Sequence, residues 1–183
     1  MKELSLNILD IAQNSITAGA ALVEILLTED TAGILTLVIR DNGCGMSPEM
    51  VASVTDPFCT TRKTRKVGLG IPLLLQASEM AGGSLAITSK VGEGTSITAT
   101  FDTKNIDCTP IGDMTSTLVT LVQGAPDTDF LFVHQKTGGE VRMDTRELRA
   151  MLGAEVPLET PEVLVWLREY LSEQYEIFGG TKA

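Results

Sequence analysis

A carboxylate and an amide stand four residues apart in DIAQNSITAGA, at Asp10 and Asn14, inside a run that is otherwise largely apolar. On a helix that spacing is about one turn, so both side chains rise from one face. Short polar groups aimed at one spot need a partner, because leaving them dry and unpaired is costly. A hard cation that favours oxygen ligands is one such partner.

Three further stretches carry residue types that could bind a ligand. DNGCGM follows the strand-like run LTLVIR, and Asp41 at its start could accept a hydrogen bond from an exocyclic amine. Gly43 and Gly45 let the backbone turn sharply and leave room for a flat ligand. VGLGIPLLL places Gly68 and Gly70 directly before a helical pattern, where free amides and the helix dipole favour phosphate. RKTRK, from Arg62 to Lys66, holds four cations in five residues. GEGTSITATF is a tight turn leading into a strand and contains Thr95. Taken singly, each of these is an ordinary turn, helix start or solvated loop. Neither GxxxxGK[ST] nor GxGxxG occurs, so P-loop and Rossmann readings lack support.

The elements that must hold these residues follow from periodicity. Residues 4–20 read as a helix closed by Gly19. ALVEILLTED and GILTLVIRDNG read as a hairpin, and SPEM as a helix start with Ser47 as cap and Pro48 in the first turn. DPFCTTRKTRKVG reads as a loop, GIPLLLQASEMAGG as a helix, and SLAITSK with TSITATF as a second hairpin. After Phe101 the texture changes to the turn-rich DTKNIDCTPIGD. Beyond it come a helical MTSTLVTLVQG, a hairpin DFLFVHQ/EVRMD, and helices in TRELRAMLG and TPEVLVWLREYLSEQYEIF, each expected to open on a threonine cap. This order predicts a two-layer α/β sandwich with a mixed, mostly antiparallel sheet covered by helices on one face.

Composition narrows the function classes. The 183 residues are 43% hydrophobic and 21% charged, ordinary for a globular chain. Net charge is −10, with 8 basic against 11 acidic residues up to Lys104 and 6 against 13 beyond it. Such acidity argues against nucleic acid as a partner. No apolar run is long enough for a membrane span, and no leader-like segment opens the chain. Cys44, Cys59 and Cys108 form no CxxC, which points to a reducing, cytoplasmic setting. Cys44 and Cys59 are expected to be small buried residues, Trp166 to pack in the core, and His134, on a predicted strand, to be structural.

Taken together and in order, the motifs resemble the ATP-binding fold shared by gyrase, Hsp90, histidine kinases and MutL, the GHKL superfamily. DIAQNSITAGA resembles the N box, its NSITAGA portion being especially like the MutL form. DNGCGM matches the G1 box, DPFCTT resembles the F box, and GLGIPLL and GEGTSITATF match the G2 and final glycine boxes. The match covers nearly all of residues 1–101. It implies a histidine-kinase-like ATP-binding domain at 1–104 and a C-terminal extension, hairpin plus helices, at 105–183.

The resemblance also implies ligands and roles. ATP and Mg²⁺ are the expected cofactors, with Asn14 holding the metal and Asp10 orienting or deprotonating the nucleophile. Asp41 would read adenine, Gly43 and Gly45 would shape its pocket, Met46 would pack near the base, and Thr95 would support that end. Gly68 and Gly70 would seat the phosphates, with Thr60, Thr61, Arg62, Lys63 and Lys66 in or beside the lid. Two departures stand out: Lys66 takes the place where the G2 box commonly begins with glycine, and only MKE precedes the N-box helix, where the family usually has a strand. That strand is absent or supplied from elsewhere. The expected activity is transfer of the γ-phosphate to a separate protein; the alternative is an ATP-gated interaction switch or slow ATPase. A second copy of the chain is a further candidate partner.

Overall fold

The structure, a computed structural model, describes residues 3–55 and 69–179. Cys59, Thr60, Thr61, Arg62, Lys63, Lys66 and Gly68 lie outside the described residues. The elements run α1 (Leu4–Thr17), β1 (Leu22–Glu29), β2 (Ile34–Asp41), α2 (Pro48–Val54), α3 (Gly70–Met80), β3 (Leu85–Lys90), β4 (Gly94–Asp102), α4 (Met114–Gly124), β5 (Asp129–Lys136), β6 (Gly139–Asp144), α5 (Thr145–Leu152) and α6 (Pro161–Gly179). The strands make one sheet in the order β3-β4-β2-β1-β5-β6. Every neighbouring pair is antiparallel except β1 and β5, which run parallel.

Alternation decides which face is buried. In β1 and β2 every second residue is buried, placing Val23, Ile25 and Leu27 beside Leu35, Leu37 and Ile39 on the inner face. Phe101 of β4 and Phe130 and Phe132 of β5 join that layer and are almost wholly buried. Each such phenylalanine contributes about 2–3 kcal/mol of hydrophobic stabilisation. Helix α1 lays Leu4, Ile8, Ile11, Ala12 and Ser15 into the core. It packs beside α3 on one side and α4 on the other. The expected two-layer arrangement is the one observed.

The strand pairing explains how the last third of the chain joins the first. β5 aligns Val23 with Phe130 and Leu27 with His134. Its start is fixed by Asp129 N donating to Ala21 O at 2.9 Å and Thr128 Oγ1 donating to Ala20 O at 3.1 Å. Helix α1 is anchored by the connection between β4 and α4. Its opening amides, Leu4 N and Ser5 N, donate to Pro110 O and Ile111 O at 2.9 and 2.7 Å. Those carbonyls do the work of a side-chain cap, which Glu3 does not supply.

Ser47 caps α2 as expected, its hydroxyl accepting from Met50 N at 3.3 Å. Two other expectations need correction. Helix α5 is capped by Asp144, whose carboxylate accepts from Arg146 N at 3.0 Å. Thr145, expected as that cap, instead accepts from Phe130 N at 2.8 Å and donates to Asp129 at 2.9 Å, tying α5 to the sheet. Trp166 is 44% exposed and stacks on Tyr170 at 5.3 Å instead of entering the core, because Leu164, Leu167 and Leu171 already fill the buried stripe of α6. His134 is buried on β5, where Nδ1 shares a hydrogen bond with Tyr175 Oη at 3.0 Å. Burial first, and the Lys136 ammonium second, hold its pKa down at about 4. No helix among the described residues is long and apolar enough to cross a membrane.

Candidate functional site

A cavity of about 530 Å³ opens between α1, the β2–α2 turn, α2 and β4. Five of the residues picked out in the sequence line it: Asn14, Asp41, Gly45, Met46 and Thr95. The size suits a nucleotide-sized ligand. Its remaining wall is mostly apolar, with Ile11, Met50, Val54, Ile71 and Ile97 contributing. These side chains were not anticipated as lining, since their periodicity reads simply as core. Cys44 also lines the cavity and is exposed, contrary to the buried role expected of it.

Asp41 ends β2 facing Thr95 across the ladder to β4. Its carboxylate is fixed from two sides. Ser15 Oγ donates to Oδ2 at 2.6 Å, and Gly43 N donates to Oδ1 at 2.9 Å. A carboxylate held at both oxygens presents its remaining lone pairs in a set direction. Ser15 was not singled out in the sequence, although the residue after Asn14 falls on the buried side of α1.

The DNG turn is stitched into place by its neighbours. Ala21 N and Leu22 N both donate to Asn42 Oδ1, at 2.8 and 2.9 Å. Cys44 N donates to Ala18 O, and Gly92 N donates to Cys44 O. Two glycines are required by space as well as by conformation. A Cβ on Gly45, at φ 68°, would stand 2.0 Å from Lys90 O, and one on Gly94, at φ 115°, 2.0 Å from Asp41 O. Gly43 is buried against Ala18, where a Cβ would approach to 3.0 Å. Ser89 joins the two turns: its hydroxyl accepts from Met46 N at 2.8 Å and lies 2.8 Å from Thr95 Oγ1.

Asp10 and Gly70 meet beside the cavity. A Cβ on Gly70 would lie 3.0 Å from Asp10 Cβ, so the start of α3 presses directly on this flank of α1. Among the described residues no side chain caps α3, and no acidic residue occupies its first turn, which leaves the positive end of its dipole against Asp10. Neither the Asp10 carboxylate nor the Asn14 amide has a hydrogen-bond partner among the described residues.

The donor set fits a magnesium–phosphate ligand. Mg²⁺ commonly takes only one or two protein oxygens and completes its shell with phosphates and water. Asn14 offers one amide oxygen at the cavity wall, and the α3 end, without a side-chain cap among the described residues, favours anionic oxygens.

Comparison with known proteins agrees with this geometry. Residues 1–105 match the family described as histidine kinase-, DNA gyrase B-, and HSP90-like ATPase. A probable C4-dicarboxylate sensor kinase of Bacillus subtilis is 36% identical over 76 residues, covering 42% of this chain and 14% of the relative. Sporulation kinase D of the same organism is 35% identical over 101 residues, covering 55% of this chain and 19% of the relative. The chain therefore spans under a fifth of the length of either kinase. A crystal structure of the N-terminal domain of a DNA repair protein superposes with a TM-score of 0.55 at 15% identity, covering 84% of this chain and 58% of that one, which speaks for the fold. The cavity, its glycine turns and the family match over more than half the sequence lead to one conclusion: the chain belongs to the histidine kinase-, DNA gyrase B- and HSP90-like ATPase family, and its ATPase domain is similar to those of histidine kinases.

Proposed function

We propose that this chain binds Mg-ATP in the cavity and transfers the γ-phosphoryl group to a side chain of a separate protein. The observation that carries the proposal is the pairing of two kinds of group around one space. Asp41 is held rigid by Ser15 and Gly43, whereas Asp10, against the α3 N-terminus, and Asn14, on the cavity wall, have no hydrogen-bond partner among the described residues. A fixed acceptor suits an adenine amino group; free oxygens beside a positive helix end suit phosphate chemistry.

In this reading Asp41 accepts from the exocyclic amine, Thr95 and Met46 bound the base, and Gly43 and Gly45 let it approach the backbone. Asn14 offers its amide oxygen to the metal, which would neutralise phosphate charge. Gly70 opens the helix end that faces the phosphates. Gly68, Thr60, Thr61, Arg62, Lys63 and Lys66 belong to the same proposal through the family resemblance. Asp10 orients the attacking group and takes its proton as it adds to the γ-phosphorus; the bond to the bridging oxygen breaks and ADP leaves.

The test is binding and turnover in three variants with γ-labelled ATP, in the presence and absence of candidate acceptor proteins. Asn14→Ala should abolish Mg-dependent binding, and Asp41→Ala should weaken adenine nucleotide binding about 10- to 100-fold. Asp10→Ala should keep binding and lose turnover. Label on an acceptor protein supports transfer. Free phosphate alone, or binding with no turnover, replaces it with an ATPase or a nucleotide-gated interaction switch.

A further inference from the structure

One more polar side chain stands on the same flank of α1. Asn7 is 2% exposed, and its Nδ2 is one of two buried side-chain polar atoms without a hydrogen-bond partner among the described residues. With about 100° of turn per residue, Asn7, Asp10 and Asn14 fall within an arc of about 60°. Side chains three apart on a helix are neighbours. Asp10 is half-buried and has no hydrogen-bond partner among the described residues. The start of α3 closes over this flank, with Gly70 against Asp10 and Ile11.

A stranded N–H one helical turn from a carboxylate that has no partner among the described residues is an arrangement that a stability-driven sequence would discard, since leucine has the same branched outline and no donor to strand. We propose that Asn7 is a positioning residue for the reaction: when nucleotide binds and the Asp10 side chain turns toward it, the Asn7 amide nitrogen donates to the Asp10 carboxylate and holds it in the orientation that meets the nucleophile. The column Asn7–Asp10–Asn14 then runs from a buried donor, through the proton acceptor, to the metal-side oxygen. This inference rests on the function proposed above and adds to it a residue that never touches ATP.

The experiment uses the full chain with Asn7→Leu, Asn7→Ser, Asp10→Ala and the double variant Asn7→Leu/Asp10→Ala. Asn7→Leu should hold or raise the melting temperature of the nucleotide-free protein, keep the Kd for Mg-ATP within about two-fold and lower kcat about ten-fold. Asn7→Ser, which keeps a polar group and leaves room for water, should recover part of that loss. The double variant should be no slower than Asp10→Ala alone, because the two residues act through one carboxylate. A wild-type rate in Asn7→Leu, with Asp10→Ala inactive, overturns the inference and leaves the function standing. A lower melting temperature with binding and turnover lost together in both Asn7 variants makes the residue structural and also overturns it. Unchanged turnover in Asp10→Ala, or none in the wild type, defeats the reading of the site itself and takes the role of Asn7 with it.

Discussion

The cavity flank of α1 and the β6–α5 corner treat charge in opposite ways. At the corner nearly every charge is answered. Asp144 is paired with Arg146 at 2.7 Å, Arg142 makes a two-pronged contact with Glu147 at 2.7 and 2.8 Å, and Asp129 accepts from Arg149 and Thr145. These contacts keep Asp144 and Glu147 below the usual carboxylate range, the hydrogen bonds to Arg146 and Arg142 being the main cause. On the α1 flank Asp10, Asn14 and the Asn7 nitrogen have no such answer among the described residues. A closed network of that kind fixes structure, whereas open valences at a cavity call for a ligand. Under the proposed function, the contrast separates a part of the chain that builds the fold from a part available for chemistry.

Three measurements break or sharpen this comparison. The largest effect is expected at the site, from Gly45→Val. Its side chain would collide with Lys90 O at a positive φ. We expect a loss of about 3 kcal/mol or more of stability in denaturant unfolding, with nucleotide binding lost as the turn shifts. A stable, binding-competent variant would mean the turn is looser than its geometry.

Acidification comes next and acts through the C-terminal part. The His134 pKa is depressed from 6.5 to about 4, so the unfolded chain binds the extra proton between those values. The associated stability is present above pH 6.5 and is lost as pH falls toward 4, by on the order of 3 kcal/mol. His134→Phe should flatten this part of the stability-versus-pH curve, and an unchanged slope would remove His134 as its source. The smallest effect is expected from Arg142→Ala, which removes the exposed ion pair with Glu147 and a longer contact to Asp144 at 3.5 Å, while Asp144 keeps Arg146 at 2.7 Å. Its melting temperature should stay within about 2 °C of wild type and its ATP affinity should not move. A large change in affinity would erase the distinction between the two regions.

Much of the site was legible because its requirements are local. A glycine that must adopt positive φ, as Gly45 and Gly94 do, is written into DNGCG and GEGT, and alternation in LTLVIR delivers Asp41 to a strand end. Position along α1 likewise puts Asp10 and Asn14 on one flank. What stayed hidden depends on distant partners. Nothing in DFLFVHQ marks it as the parallel neighbour of β1. Ser89 looks like any polar strand residue until its hydroxyl is seen between Met46 and Thr95. Thr145 carries the composition of a cap but is taken up by Phe130 and Asp129, leaving capping to Asp144. Trp166 has a core residue's hydrophobicity but not the buried phase of α6.

The parallel pairing of β1 with β5 has a consequence for how the protein is made. While the chain is being synthesised, β1 and β2 can close their hairpin early, yet the far side of β1 stays bare until about a hundred more residues have left the ribosome. During that interval the nascent nucleotide-binding half carries an unprotected, strongly apolar strand edge, open to mispairing with whatever strand it meets first. The order of translation therefore makes the C-terminal hairpin the last guard of a sheet whose cavity is assembled mostly from the other half.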